Sequence, residues 1–386
     1  MNSPIYLDYA ATTPVAPEVV QAMLPYLTLY GLFANPASIQ HSPGIAVENV
    51  IRQARSNMAQ LLNCSSDDVI FTSGATEANN LAIKGIVLAH PVGKHIITST
   101  IEHKSVLDTC KFLEAQGYIV TYVRPDNQGR LRLETILEAI TEQTILVSIM
   151  HVNNETGMIQ DIAQIAQALK DKPIYFHVDA AQSAGKLSIN LSELPVDLLS
   201  LSAHKFYGPK GVGCLFIRNR KRQRLIPLFH GGGQEFGLRP GTLPVHQIIG
   251  MVTAFELAHT RLTEDYLHSQ QLRELLNKQL TILGEVKLNG DASAALPNIV
   301  NLSFSGVSAD ALIIALRDQV ALSSGSACNS GAIEASHVLR SMNIEGDRLY
   351  EAIRLSFGRY TRIIDIQLAA TILCDTVRQL RHLALE

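Results

Sequence analysis

The sequence predicts an α/β protein: a large, mostly parallel sheet with helices on both faces, then a smaller α+β region at the C-terminus. Three observations predict it. Apolar runs of strand length alternate with longer helical patterns throughout 60–217, as in parallel strands joined by crossovers. Polar residues suited to holding a ligand fall at the ends of those runs, where open α/β sheets collect ligands. Beyond about 245 a long helical pattern leads into a fresh series of strand and helix signals. The 386 residues suffice for two domains. We expect a large one over 15–250 and a small one built from 1–14 and 251–386.

The opening run Ile5-Tyr6-Leu7-Asp8-Tyr9-Ala10 reads as a short extended arm, followed by a helix over 17–30. Asn35, in Ala34-Asn35-Pro36-Ala37-Ser38, either faces a substrate carboxylate or caps a turn. A helix over 44–62 precedes the strand-like Val69-Ile70-Phe71-Thr72. Ser73-Gly74-Ala75-Thr76-Glu77 then turns into a helix through Lys84. Small residues let backbone approach a ligand closely, and the N–H groups of a new helix attract phosphate. A strand over 95–100 ends at Glu102-His103-Lys104, and one over 144–150 leads to Asn153-Asn154-Glu155. An imidazole at a strand end can stack on an aromatic ring and shuttle protons, or be structural. A helix over 162–170 and a strand over 174–178 follow, the strand stopping at Asp179.

Next come two apolar runs, 196–201 and 212–217, around Ser202-Ala203-His204-Lys205-Phe206-Tyr207-Gly208-Pro209. Lys205 therefore sits on a tight turn leaving a buried sheet. Desolvation or a nearby cation there lowers a lysine pKa and makes it nucleophilic toward carbonyls. A solvated turn lysine is the plainer alternative. Asp179, about 25 residues earlier, is either a cap or a functional carboxylate. Together the two suit pyridoxal phosphate, which needs a lysine for its aldehyde and a carboxylate for its pyridinium nitrogen.

The Gly-rich stretch from His230 to Thr242 is too long for a simple turn, and such loops are often functional. A helical pattern over 245–283 bridges to a strand over 298–304, a helix over 309–317, strands over 320–323 and 352–357, and a closing helix to about 383. Arg354 interrupts an apolar strand and needs a carboxylate, from a substrate or from an internal Asp or Glu. Cys328 lies in Ser323-Ser324-Gly325-Ser326-Ala327-Cys328-Asn329-Ser330-Gly331, where no apolar neighbour buries it, so an exposed, reactive thiol is expected.

Composition narrows the classes. Charged residues make up 17 % and the formal net charge is -3, so neither direct nucleic-acid nor membrane attraction is expected. The one dense basic cluster, 218–224, reads as a solvated loop. Cys64, Cys110, Cys214, Cys328 and Cys374 are odd in number and lack C-x-x-C spacing, which argues against a disulfide framework or a zinc site. No secretory signal and no membrane-length apolar stretch is evident, so a cytoplasmic location is expected.

With Ser-Gly-Ala-Thr-Glu, Glu-His-Lys, Val-Asp-Ala-Ala-Gln, Ser-Ala-His-Lys, Gly-Thr-Leu-Pro-Val-His-Gln and Ser-Ser-Gly-Ser-Ala-Cys in this order, the chain resembles the cysteine desulfurases of the iron–sulfur cluster and nitrogen-fixation type over about 5–360. The resemblance implies the type I fold of pyridoxal-phosphate-dependent transferases, with a seven-stranded sheet. It makes Lys205 the residue bonded to the cofactor, Asp179 the pyridinium partner, Gln182 the contact of the ring hydroxyl and His103 the stacking imidazole. Asn154 becomes a cofactor or substrate contact, and Ala75, Thr76, Ser202 and His204 the phosphate cup. Thr242 would reach the phosphate of the other subunit of a homodimer. Asn35 and Arg354 would clamp the substrate carboxylate, and Cys328 would accept sulfur.

The implied reaction converts L-cysteine to L-alanine, leaving a persulfide on Cys328 that passes to an acceptor protein, an iron–sulfur scaffold or a thiolation enzyme. Two departures are visible. Asn329-Ser330-Gly331-Ala332 is not the commonest continuation after the cysteine, and the sequence stops soon after its last helix where close relatives carry a scaffold-docking tail. The acceptor and the way it docks are therefore left open by the sequence. The rival readings are a selenocysteine lyase, or another pyridoxal phosphate lyase or aminotransferase with no use for Cys328. A non-catalytic sulfur-relay protein on the same fold is a further one.

Overall fold

A computed structural model describes residues 4–324 and 335–384. Cys328 lies outside them. The arm begins with β1 (Ile5–Tyr6), followed by α1 (Pro17–Met23) and α2 (Ser42–Leu62). Then come β2 (Val69–Thr72), α3 (Ala75–Ala89), β3 (His95–Ser99), α4 (Lys104–Glu114), β4 (Ile119–Val123), α5 (Leu133–Glu138) and β5 (Thr144–Met150). The sheet is completed through α6 (Ile162–Leu169) by β6 (Tyr175–Asp179), β7 (Leu198–Ser202) and β8 (Gly213–Ile217).

These seven strands stand in the order β2-β8-β7-β6-β5-β3-β4. The run from β4 to β7 is parallel, and only β8 is antiparallel to its neighbours β2 and β7. The predicted mostly parallel seven-stranded sheet is therefore observed. Alternation along β8 shows how it is sandwiched. Cys214 and Phe216 enter the core beneath α2, α6 and α7 (Val245–Thr260), while Leu215 and Ile217 enter the core beneath α3 and α4. Register aligns the functional ends: Met150 pairs with Asp179, Asp179 with Ser200, and both Thr72 and Ser202 with Gly213.

The rest of the chain builds another core. It comprises α8 (Leu262–Leu280), β9 (Val286–Leu288), β10 (Ile299–Phe304), α9 (Ala309–Leu316), β11 (Val320–Ala321), α10 (His337–Ser341), β12 (Ala352–Ser356) and α11 (Ile363–Leu383). Leucines of α8, with residues of α9 and α11, cover the antiparallel sheet β12-β10-β9. The arm joins this part: β1 pairs in parallel with β11, and Asp8 bridges to Ser356.

Several expectations change. The helix expected over 17–30 stops at Met23 and tightens into a 3₁₀ turn, because Pro25 has no N–H to continue the ladder. The pattern over 245–283 is two helices broken at Arg261, whose backbone leaves helical geometry (φ -99°, ψ 7°). Periodicity misses the break because the apolar stripe resumes, now facing a different core. The cluster at 218–224 is less solvated than expected. Arg218 donates to the carbonyls of Leu191, Leu194 and Val196, and Arg220 stacks on Phe236.

Candidate active site

The carboxyl ends of β3, β5, β6 and β7 surround a cavity of about 670 Å³, an ordinary size for a small-molecule site. One end is built for an anion. Gly74 precedes α3 with φ 151°, a conformation that favours glycine, and the N–H groups of Ala75 and Thr76 begin the helix without intrahelical acceptors. Gly213 lets β8 pass close by: a Cβ there would lie 2.5 Å from the Leu201 carbonyl oxygen and 2.6 Å from Gly74 Cα. Ser202 Oγ would lie 3.5 Å from a Cβ on Gly74, at the same end, and His204 lines the cavity. His204 Nδ1 lies 3.1 Å from Thr12 Oγ1. Burial, then the neighbouring Lys205, Lys210 and Lys186 charges, hold its pKa down to about 4, so the ring is neutral.

Across the cavity stands Asp179. Its Oδ1 accepts the Ala181 N–H at 2.9 Å and its Oδ2 accepts from Asn79 Nδ2 at 2.7 Å. Asn79 also donates to Ser105 Oγ at 2.9 Å. His103 caps α4, its Nδ1 accepting the Ser105 N–H at 3.1 Å, which places the proton of the neutral ring on Nε2. Burial outweighs the attraction of Asp179 and lowers the imidazole pKa, so that neutral form prevails at neutral pH. Asn79, Ser105 and His103 thus form one chain with Asp179.

Lys205 follows β7 on a 3₁₀ turn. Its Nζ donates to two neutral carbonyls, Ala10 O at 2.6 Å and Ala11 O at 2.9 Å. Burial, then the Arg354 cation, lower its pKa to about 8, against the opposing pull of Asp179 and Asp8. Gln182 Nε2 donates to the same Ala10 carbonyl, while Gln182 Oε1 is buried with no partner among the described residues. Asn154 lines the cavity and its carbonyl accepts from Arg354 Nη1 at 2.9 Å. Arg354 also meets Asp8 Oδ1 through Nη2 at 2.7 Å, so the internal carboxylate considered for it exists.

Ten of the thirteen sequence-derived candidates therefore line one cavity: Ala75, Thr76, His103, Asn154, Asp179, Gln182, Ser202, His204, Lys205 and Arg354. Three do not join them. Asn35 is exposed and borders a separate cavity, and its Oδ1 accepts the Ala37 N–H at 2.9 Å, the turn-capping alternative. Within one chain it does not meet Arg354 across the site. Thr242 is exposed on the Gly-rich loop, outside the cavity. Cys328 belongs to the segment not described.

Sequence reasoning missed Asp8, Ala10, Ala11, Thr12, Asn79 and Ser105. Asn79 left a signal: it shares an apolar stripe of α3 with Ala82, Ile83 and Ile86, and a lone amide there needs a partner. The arm residues left none. The cavity fits pyridoxal phosphate: a helix N-terminus with Ser202 for the phosphate, Asp179 for the ring nitrogen, the orphaned Gln182 oxygen for the ring hydroxyl and an amine for the aldehyde.

Comparison with known proteins agrees. The class-V aminotransferase family profile matches residues 5–368. The cysteine desulfurase IscS of Buchnera aphidicola subsp. Acyrthosiphon pisum (strain 5A) is 49% identical over 385 residues, covering 100% of this chain and 95% of that one. That of Vibrio cholerae serotype O1 (strain M66-2) is 48% identical with the same coverage. Among solved structures, a NifS-like protein superposes with a TM-score of 0.90 at 35% identity, over 99% of this chain and 100% of that chain. SspA in complex with cysteine gives 0.82 at 39%, over 92% and 99%. Full-length likeness and cavity chemistry converge, and the chain belongs to the class-V aminotransferases, in their branch of pyridoxal-phosphate-dependent cysteine desulfurases.

Proposed function

We propose that this enzyme takes sulfur from L-cysteine, releases L-alanine, and carries the sulfur as a persulfide on Cys328 to an acceptor protein. The observation that carries the reading is an amine of depressed pKa, Lys205, sharing one cavity with Asp179 and Arg354. Bound pyridoxal phosphate supplies a ring that accepts electrons from the substrate carbon. Lys205, neutral in an appreciable fraction at neutral pH, takes the Cα proton. Asn79 and the Ala181 N–H fix the Asp179 carboxylate toward the ring nitrogen. His103 offers a proton from Nε2, and Arg354 holds the substrate carboxylate.

The Cys328 thiolate then attacks the substrate sulfur. An S–S bond forms and the C–S bond breaks, with its electron pair left on carbon, which is protonated to give alanine. Two facts support Cys328 in this role. Ser323 lines the cavity, and the five residue steps from Ser323 to Cys328 span at most about 18 Å when extended. The other cysteines are unsuited. Burial pushes the Cys64 and Cys110 thiols up to about 12 and raises Cys214 and Cys374, and none of the four lines the cavity.

The test is Cys328→Ala with intact cofactor absorbance. Sulfur release from cysteine should fall to background and no protein-bound persulfide should label. Undiminished release would support a selenocysteine lyase or another lyase instead.

The proposal extends to a homodimer in which Thr242 serves the partner's site. Supporting it, Leu29, Tyr30, Phe33 and Ile39 are 65–97% exposed within eleven residues, an apolar stretch that a second copy could cover. It includes the two domains, 15–250 and 1–14 with 251–386. The separate apolar cores support two units, although α7 packs with the first core through Ala258. A cytoplasmic location is proposed on two supports. No helix among the described residues is long and apolar enough to cross a membrane, and the four described cysteines are free. The acceptor is an iron–sulfur scaffold or a thiolation enzyme.

A further inference from the structure

The guanidinium of Arg354 is unevenly satisfied. The side chain is buried in the cavity wall, 6% exposed. Nη1 donates to the Asn154 carbonyl, Nη2 donates to a single Asp8 oxygen, and Nε is buried with no partner among the described residues. Nε and Nη2 form the side edge of a guanidinium, the edge that grips a carboxylate through two parallel hydrogen bonds. Asp8 bonds Nη2, the nitrogen that carries one of the two donors of that edge. A substrate carboxylate taking Nε and Nη2 together would satisfy the orphaned Nε and would bring a second negative charge onto Nη2, against that of Asp8.

We propose that Asp8 is a built-in competitor for the substrate carboxylate, occupying one donor of Arg354 until an amino acid displaces it. This rests on the reading of Arg354 as the carboxylate site. The two partners are placed for such an exchange. Arg354 is fixed in β12, with both its N–H and carbonyl bonded to Ser323, whereas Asp8 lies on the arm with its side chain 22% exposed. A displaced Asp8 carboxylate reaches water, and the buried cation is never left unpaired, which would be strongly unfavourable. The exchange also selects ligands. An amine without a carboxylate leaves the Asp8–Arg354 pair closed and gains nothing from Nε.

Two probes separate the contributions in the holoenzyme: L-alanine, which carries the carboxylate, and ethylamine, which is alanine without it. Calorimetric titration of Asp8→Asn should show L-alanine binding roughly fivefold tighter, with ethylamine unchanged, since a partly exposed ion pair no longer competes. Asp8→Glu, which keeps the charge, should bind L-alanine as the parent does. Unchanged or weaker L-alanine binding in Asp8→Asn, with normal cofactor absorbance, overturns the exchange and leaves Asp8 as a positioning residue. Arg354→Gln tests the underlying reading. Loss of L-alanine binding there, without a gain in Asp8→Asn, sinks the exchange alone, whereas unchanged L-alanine binding in Arg354→Gln sinks the carboxylate site itself.

Discussion

Lys205 is buried and lies near the Arg354 cation, so its proton is weakly bound. Its pKa, about 8 against an ordinary 10.5, sets a pH dependence. Only the neutral amine attacks an aldehyde, so capture of pyridoxal phosphate by the cofactor-free chain should rise with pH and level off above about 8. Stopped-flow absorbance would measure it. Arg354→Gln removes a nearby cation and should move the midpoint upward. For stability the sign is also fixed. Between about 8 and 10.5 the unfolded chain binds the proton and the folded chain does not, so stability rises with pH across that window. Asn79→Ala should weaken cofactor binding roughly thirtyfold by fluorescence titration, from the loss of about 2 kcal/mol of hydrogen bonding to a carboxylate. Lys205 and Asp179 were legible because strand ends announce themselves in apolar runs. Asp8 was not, since its partner Arg354 lies 346 residues away and no local period connects them.

At the scale of elements, the junction of β2, α3 and β8 depends on backbone contact. Gly213→Ala should loosen cofactor binding without deleting any cofactor contact, because a Cβ pushes Gly74, and with it the start of α3, away from β8. The Gly-rich loop is fastened by another device. Glu235 and Phe236 both have positive φ, 47° and 58°, and are kept there by Arg55, which grips both Glu235 oxygens. Glu235 also accepts the Phe71 N–H at 2.7 Å. Glu235→Gln leaves the largely buried Arg55 without its anion and should lower stability by about 3 kcal/mol, read as a lower urea midpoint at constant slope. Sequence periodicity located most of these elements. It left out α4, α5, β4, β9 and α10, of which β4 has an exposed Ile119, and it missed the break at Arg261, because periodicity reports which face is apolar and not which core receives it.

The whole molecule bears a loop with four apolar side chains facing solvent, and here the prediction concerns assembly. The parent chain should sediment as a dimer, and Tyr30→Asp with Phe33→Asp should sediment as a monomer that also binds pyridoxal phosphate more weakly, since Thr242 would no longer reach a partner's site. A monomer with unchanged cofactor affinity would confine the site to one chain. The fold class was readable because alternation of strands and helices leaves few topologies. The seating of the arm was not, because it pairs the beginning of the chain with its end.

That pairing dictates an order of manufacture. Ile5, Tyr6 and Asp8 leave the ribosome long before their partners emerge, β11 for the first two and Ser356 for Asp8. Until then the carbonyls of Ala10 and Ala11 cannot be brought to Lys205 by that route, nor Asp8 to Arg354. The nascent polypeptide can build most of its sheet but lacks one wall of its reaction chamber, so loading with the vitamin-derived cofactor waits until β11 and β12 have emerged.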